Sequence, residues 1–254
     1  MSDQTAAARI AAYLRAHIAA RATTARVGPF LVAFDQHSDN RYRNYALPEN
    51  SAEPTLQEVQ YLINTFEERR RVPRLEYMPE LAPAVLPVLV DAGFRTEGLL
   101  PVMVCSNVGL PPQEPIAWVS ISMVSSDVDL ESAARVQNEA YGEPNTSPAD
   151  VARLRSTVSR GGAVALARDT QTGEALGSAL YSAPVDGATE IAALGVRSEF
   201  RRRGIGSGLT TALARHARGH RIDFPFLMAA HDSEASLYRR LGFSDCGTIL
   251  HISR

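Results

Sequence analysis

The chain has 254 residues, of which 45% are hydrophobic and 21% charged, as in an ordinary globular protein. Its formal charge of −2 offers no basic surface for a nucleic acid, and no apolar run is long enough to span a bilayer. All 26 basic residues are arginine, which excludes P-loop NTPases, protein kinases and enzymes that depend on a Schiff-base lysine. No signal-peptide pattern is visible, so we expect a cytoplasmic protein.

The first part of the chain alternates between helical and extended patterns. Apolar spacing predicts helices over 5–22 and 56–70, with a strand over 27–34 between them and a polar loop running to Asn50. Further on, strand, helix and strand are predicted over 74–77, 81–92 and 99–105.

The end of the chain repeats that last order, with strand, helix and strand over 226–230, 234–241 and 248–253. Both predicted helices end on glycine followed by phenylalanine, Gly93-Phe94 and Gly242-Phe243, as a helix terminus with a hydrophobic contact requires. The repeat therefore divides the chain into two related halves.

Three prolines within seven residues predict a linker over 109–115, between domains at 1–108 and 116–254. The second domain opens with a strand over 118–124 and helices over 130–141 and 148–159. A hairpin of strands 164–169 and 175–181 follows, and then a strand over 189–196 and a helix over 208–218.

The segment between those last two elements has the composition of an anion-binding loop. Glycines let the main chain approach an anion, and the first N–H groups of a helix attract negative charge. Arg201, Arg202 and Arg203 add cations beside Gly204, Gly206 and Gly208. A dinucleotide fold is disfavoured because Leu209 stands where the third glycine is needed and no repeated βαβ units surround the loop. We expect a small ligand that carries a diphosphate.

Two motifs extend this interpretation. The first is Arg201-x-x-Gly204-x-Gly206, which follows a strand that carries Glu190, and the second is Leu-Tyr-x-x-Leu-Gly-Phe at 237–243. With these motifs, residues 115–254 resemble the GNAT N-acetyltransferase superfamily. The resemblance implies an α/β fold with a mixed, mostly antiparallel sheet flanked by helices, acetyl-CoA as co-substrate and no metal. His231 departs from the family pattern, in which many members carry a cofactor-contacting asparagine.

The resemblance also implies roles for particular residues. Glu190 would be the general base, and Tyr238 the general acid for the departing thiolate. The structural alternative for Glu190 is a residue that faces solvent at the start of a strand, and the alternative for Tyr238 is an aromatic residue of the core. Main-chain groups of Leu194, Gly195 and Val196 would hold the pantetheine arm. The pyrophosphate would lie against the loop residues Arg201, Arg202, Arg203, Gly204, Ile205, Gly206, Ser207 and Gly208.

Several other residues carry weaker signals. His216 and His220 have metal-ligand spacing, but a solvated helix end explains them better. Cys105 and Cys246 are expected to be buried free thiols. Tyr141 and Glu143, in the loop between the first two helices of the second half, are candidates for contact with the acceptor amine. Glu76 and Tyr77, at the equivalent rim of the first half, are weaker candidates.

These observations predict an N-acetyltransferase that moves an acetyl group from acetyl-CoA to a primary amine of a small molecule. A non-catalytic acyl-CoA sensor and an enzyme that modifies protein lysines or N-termini are the alternatives. The first half has no counterpart of the glycine loop, so we interpret it as a degenerate GNAT-like half, with an unrelated α/β cap as the alternative. It would complete the acceptor cleft or form a homodimer surface.

Overall fold

A computed structural model describes residues 3–20, 23–105, 110–112, 114–143 and 145–254. They form two compact units. The first contains the described residues within 1–102, 228–232 and 245–254, and the second contains those within 103–227 and 233–244. The predicted linker at 109–115 lies partly outside the described residues, because residues 109 and 113 are not among them.

The described chain contains helices and strands in the following order. The helices are α1 Asp3–Ala19, α2 Leu56–Glu67, α3 Val85–Asp91, α4 Asp127–Tyr141, α5 Pro148–Ser159, α6 Ile205–Gly219 and α7 Asp232–Arg240. The strands are β1 Thr24–Val27, β2 Phe30–Ala33, β3 Tyr45–Pro48, β4 Arg74–Tyr77, β5 Arg95–Cys105, β6 Val119–Val124, β7 Ala163–Asp169, β8 Ala175–Tyr181, β9 Ala188–Val196, β10 Phe224–Met228 and β11 Phe243–Ser253. Short 3-10 turns lie at Arg41–Arg43, Pro79–Leu81 and Ser198–Phe200.

The first unit is built on strands in the order β1-β2-β3-β4-β11-β5. The pairs β1–β2, β2–β3 and β4–β11 are antiparallel, whereas β3 and β4 are parallel and joined by α2. Alternate residues of these strands enter one hydrophobic core with α2 and α3, in which Leu62, Phe66 and Leu89 are fully buried. The last strand of the chain thus belongs to the sheet of the first unit.

The structure corrects three element predictions in this unit. Residues 27–34 form the turn and second arm of a hairpin rather than one strand, because Gly28 has φ of 52° and reverses the chain between β1 and β2. The predicted polar loop to Asn50 contains β3. The helix predicted over 81–92 begins only at Val85, after a 3-10 turn that starts at a proline.

The second unit has the strand order β10-β9-β8-β7-β6. Its pairs are antiparallel apart from β9 and β10, which are parallel and joined by α6. Helix α4 packs on this sheet through Leu130, Ala133 and Ala134. The mixed, mostly antiparallel sheet with flanking helices confirms the predicted fold class.

Local sequence signals explain the helices of this unit. Ser147 and Asp150 form a capping box at the start of α5, with Pro148 in its first turn. Ser126 accepts a hydrogen bond from the main chain of α4, and Gly142 ends that helix in the left-handed conformation. The predicted bounds of α5 and β8 are confirmed to the residue.

Candidate functional site

Strand β9 carries a β-bulge near its end. The register with β8 shifts between Ser178 and Leu180, and Ala193 on β9 has φ of 53°. On its other side, β9 pairs with β10 from Ala188 to Glu190, and the register between these two described strands ends there. Beyond Glu190, β9 is no longer paired with β10, and the end of a strand that has left its neighbour is the kind of edge that an extended ligand can join.

Helix α6 begins beyond this edge with its first turn uncapped by a side chain. Gly204 occupies the N-cap position with φ of 83° and provides no side-chain acceptor. The N–H groups of a first helical turn have no partner within the helix, and the helix dipole places partial positive charge there. The end of α6 is thus suited to an anion.

The glycines around this turn differ in what requires them. A Cβ atom at Gly208 would lie 2.7 Å from Ile121 Cδ1, and one at Gly195 would lie 2.8 Å from Ala140 Cβ. Packing of α6 and α4 therefore explains both. A Cβ atom at Gly206 would meet its nearest neighbour, Leu194 Cδ2, at an ordinary 3.6 Å. Glycine costs a helix about 0.5–1 kcal/mol relative to alanine, so the absence of a side chain at Gly206 fits close approach by a ligand.

The other predicted loop residues line or support the same turn. Ile205 is buried, and its Cγ2 would lie 3.1 Å from a Cβ atom at Gly177, so this side chain belongs to the core beneath the turn. Ser207 is half-buried within the first turn. The Leu194 side chain reaches towards Gly206, which links the end of β9 to the start of α6.

The three arginines before Gly204 are exposed and have different surroundings. Arg201 donates hydrogen bonds to the carbonyls of Val196 at 3.0 Å and Ala140 at 3.4 Å, and so braces the loop. Arg202 has φ of 61°, a conformation that costs a non-glycine residue free energy. The Arg203 guanidinium lies 5.9 Å from the ring centroid of Trp118 and 5.6 Å from that of Phe200.

Tyr141 reaches the end of β9 beside its bulge. Its hydroxyl donates to the Leu194 carbonyl at 3.2 Å. Burial of the phenol raises the pKa of Tyr141, and the charge of Glu234 raises it further, although 62% of the residue's surface is exposed. Burial also raises the pKa of Tyr238, and the charge of Glu234 and the phenol of Tyr141 raise that pKa further.

Tyr238 is 6% exposed, and its ring lies 6.1 Å from that of Phe243. It therefore packs as a core aromatic residue. A phenol has an apolar body and a polar tip, so packing of the ring is compatible with the predicted role of its hydroxyl as a proton donor.

Glu190 lies where the pairing of β9 and β10 ends. Its register partner is Phe226, its carbonyl accepts from the Ser182 N–H at 2.9 Å, and the residue is half-buried. Alternation along a strand gives Glu190 the same face of β9 as Ala192, which packs with α4. Glu190 stands three residues before Ala193, the residue of the bulge that has positive φ.

The weaker candidates have structural partners. Tyr181 Oη lies 2.8 Å from His216 Nδ1, and the centroids of the His216 and His220 rings are 4.1 Å apart in a stacked arrangement. The two histidines therefore contact other side chains rather than solvent alone. Glu76 pairs with the buried Arg74. Tyr77 is buried, and burial raises its pKa.

Two further predictions, on Tyr141 and on the cysteines, have outcomes in the structure. Tyr141 is the last residue of α4 rather than part of the following loop, where Glu143 lies. Cys105 and Cys246 are buried free thiols, as predicted. Among the described residues, no group of three or more histidines, cysteines and carboxylates could hold a metal ion. None of the helices within the described ranges is long and apolar enough to cross a membrane.

Sequence reasoning missed Glu234 and Ala193. The spacing of four residues between Glu234 and Tyr238 on one helix was a usable signal. The bulge at Ala193 left no signal in the sequence, because a bulge is defined by the pairing of two strands.

Comparison with known proteins gives a consistent result. Residues 130–243 match the model of the acetyltransferase (GNAT) family. A GCN5-related N-acetyltransferase from Kribbella flavida is 23% identical, with 97% of this chain and 95% of that chain covered and a TM-score of 0.76. One from Sphaerobacter thermophilus is 17% identical, with coverage of 89% and 76% and a TM-score of 0.67.

A tandem GNAT protein from the clavulanic acid biosynthesis pathway is 12% identical, with coverage of 100% and 96% and a TM-score of 0.60. At these identities the similarity establishes the fold. It confirms the predicted GNAT architecture, and one of the similar structures is a tandem GNAT protein. No curated protein matches the sequence.

Proposed function

Because residues 130–243 form an acetyltransferase domain of the GNAT family, we propose that this chain moves an acetyl group from acetyl-CoA to a primary amine of a small molecule. Acyl transfer from acetyl-CoA is the general chemistry of that family. The observation that carries the proposal is the uncapped start of α6 at Gly204, next to the end of β9 that is no longer paired with β10.

The residues present fit the co-substrate. The first-turn N–H groups of α6 and the nearby arginines would hold the pyrophosphate, and Gly206 leaves room for its close approach. The main chain from Leu194 to Val196 would pair with the pantetheine amides. A main-chain N–H near the end of β9 would then polarise the thioester carbonyl.

The reaction needs three proton transfers. An amine reaches the site as an ammonium ion, since its pKa is about 10, and Glu190 would accept one proton through a water. The neutral nitrogen then bonds to the acetyl carbon, and the carbon–sulfur bond breaks. Tyr238 would donate its proton to the departing sulfur, and the second proton that the nitrogen gives up would restore the Tyr238 phenol. The products are then an amide and the free thiol, and the first proton leaves Glu190 for water. A raised pKa keeps that phenol protonated at neutral pH.

Glu190 and Tyr238 distinguish this proposal from a sensor that binds acyl-CoA without turnover. We place the activity in the cytoplasm, where the two buried free thiols stay reduced. The amine would be a small molecule because the near-neutral chain offers no strongly acidic surface for basic peptides. The first unit would join two copies of the chain.

The test is calorimetric titration of the full chain with acetyl-CoA, followed by assay of free-thiol release over a library of amines. Binding together with amine-dependent release is the expected result. Binding without release from any small amine would favour the sensor or a protein acceptor. Absence of binding would overturn the assignment of the α6 turn.

A further inference from the structure

Two aromatic residues from distant parts of the sequence meet in the second unit. Trp118 stands just before β6, and Phe200 is the last residue of the 3-10 turn that follows β9. Their ring centroids are 6.2 Å apart, and the ring planes are tilted by 40°. Both residues are half-buried, so part of the surface of each remains open to solvent. We call these two residues the aromatic pair.

Arg203 lies against the aromatic pair. Its guanidinium carbon is 5.9 Å from the ring centroid of Trp118 and 5.6 Å from that of Phe200. Arg201 instead donates hydrogen bonds to two main-chain carbonyls. Arg203 therefore adds an exposed, planar cation to the surface that the two rings form.

The aromatic pair borders the turn that is proposed to hold the pyrophosphate. A Cβ atom at Gly204 would lie 3.4 Å from Cδ1 of Ile116, which stands two residues before Trp118. At the next position but one, a Cβ atom at Gly206 would lie 3.6 Å from Leu194 Cδ2 on β9. The start of α6 thus contacts the end of β9 on one side and the segment that leads to Trp118 on the other.

We propose that Trp118, Phe200 and Arg203 bind the adenine ring of acetyl-CoA. The proposal rests on the proposed function. In acetyl-CoA the diphosphate carries the pantetheine arm on one side and adenosine on the other. A ligand whose arm follows β9 and whose diphosphate lies at the first turn of α6 has its adenosine on the Gly204 side of that turn. Purine rings stack on aromatic side chains and on the plane of an arginine guanidinium, and both are present there.

The fluorescence of Trp118 tests this placement directly. Trp118 is the only tryptophan of the chain, so its emission reports on this surface alone. Excitation at the long-wavelength edge of its absorption avoids absorption by adenine. Saturating acetyl-CoA should quench the emission, whereas saturating acetyl-4′-phosphopantetheine, which lacks adenosine, should leave it unchanged. Unchanged emission with acetyl-CoA would overturn the proposal.

Calorimetry with the same two ligands measures what the contact contributes. Trp118→Ala should weaken acetyl-CoA binding about 10-fold, as the loss of one stacked base does, and leave the affinity for acetyl-4′-phosphopantetheine unchanged. Trp118→Phe keeps an aromatic face and should retain most of the affinity for acetyl-CoA. Tyr61→Ala removes an aromatic residue of α2 that is 65% exposed and serves as the control, with wild-type affinity for both ligands.

Comparison of the two ligands within one variant separates binding from folding. A general loss of structure in Trp118→Ala would weaken both ligands alike, whereas loss of an adenine contact weakens acetyl-CoA alone. Equal weakening of both ligands would mean that the aromatic pair only packs the loop before α6, and it would overturn the proposal, as would unchanged affinity for acetyl-CoA.

The outcomes also separate this proposal from the proposed function. If acetyl-CoA binds and quenches Trp118 but no amine releases thiol, the adenine site stands and the transferase assignment fails. If amines release thiol while Trp118→Ala binds acetyl-CoA like wild type, the transferase stands and the adenine site fails.

Discussion

Helices α2 and α6 both join a pair of parallel strands, yet their first turns are occupied in opposite ways. Thr55 caps α2, and Glu58 completes a capping box by accepting hydrogen bonds from the N–H and the hydroxyl of Thr55. Helix α6 begins at Gly204, which has no side chain to cap it, and arginines precede it. The first unit therefore supplies its own anion at the position where the second unit can accept one from a ligand.

The same contrast is found in the helix that precedes the last strand of each repeat. Helix α3 presents Val85 and Leu89 to a hydrophobic core, whereas α7 carries Glu234 and Tyr238 at the corresponding positions. Each unit also has a parallel strand pair that is joined by a helix, and we infer that a few side chains decide whether such a position is filled by the protein or left for a substrate. The degenerate first half that we infer would have lost its site by filling it.

The largest effect is expected from giving α6 a first-turn carboxylate, as α2 already has. Gly206→Glu places a negative charge and a bulky side chain where the pyrophosphate would lie, and should weaken acetyl-CoA binding roughly 10³-fold or more, as loss of two charge-assisted hydrogen bonds would. Calorimetry measures the affinity, and circular dichroism checks that the helix content is retained.

Gly219→Glu at the other end of α6 is the control, because a Cβ atom there has no neighbour within 4 Å. It should bind acetyl-CoA like wild type. Unchanged affinity in Gly206→Glu would mean that α6 does not bind acetyl-CoA. The proposed contrast between a self-capped α2 and a ligand-binding α6 would then be wrong.

Tyr238 tests whether the α7 face carries chemistry or only packing. Tyr238→Phe keeps the ring against Phe243 and removes the proton donor, so kcat should fall roughly 10²- to 10³-fold, in the range of a lost general acid. Acetyl-CoA affinity should change little. Tyr61→Phe, at a residue of α2 that is 65% exposed, serves as the control. Full retention of kcat would make Tyr238 equivalent in role to Leu89 of the first unit.

Substitution of Glu190 tests whether this residue is the general base, and the loss of rate should depend on pH. Glu190→Gln should lower kcat/KM about 10²-fold at pH 7, where an amine is almost wholly protonated. As the pH rises towards the amine pKa of about 10, more acceptor is already neutral, and the loss should shrink. Rate profiles of wild type and variant against pH measure this. A deficit that stays constant to pH 10 would mean that Glu190 does not remove the proton.

Much of the second unit could be predicted from the sequence because its signals are local. Pro148 and the capping residues fix α5, and the glycine and arginine pattern locates the turn before α6. The first unit was harder, because a glycine-proline pair converts an apparent single strand into the hairpin β1–β2. The bulge at Ala193 and the approach of Tyr141 to Leu194 depend on residues far apart in the chain, and no local pattern specifies such contacts.

The smallest effect is expected from opening the cap of α2. Thr55→Ala removes the acceptor for the Glu58 N–H and should lower the free energy of unfolding by about 1 kcal/mol at pH 7, the usual contribution of a threonine cap. Gln57→Ala, at an exposed position of the same turn, is the control.

The pH dependence of this loss follows from Glu58. Hydrogen bonds from the Thr55 main chain and then its hydroxyl lower the pKa of Glu58 in the folded state. A depressed pKa contributes stability that is present above the unfolded pKa of about 4.3 and is lost as the pH falls through the folded value. Urea unfolding at pH 7 and pH 3 should therefore show a smaller difference between wild type and Thr55→Ala at the lower pH. Acetyl-CoA affinity should be the same in both proteins, because the cofactor site is assigned to α6 of the second unit and α2 caps itself. A change in affinity would mean that α2 takes part in binding and would contradict the contrast between the two helices.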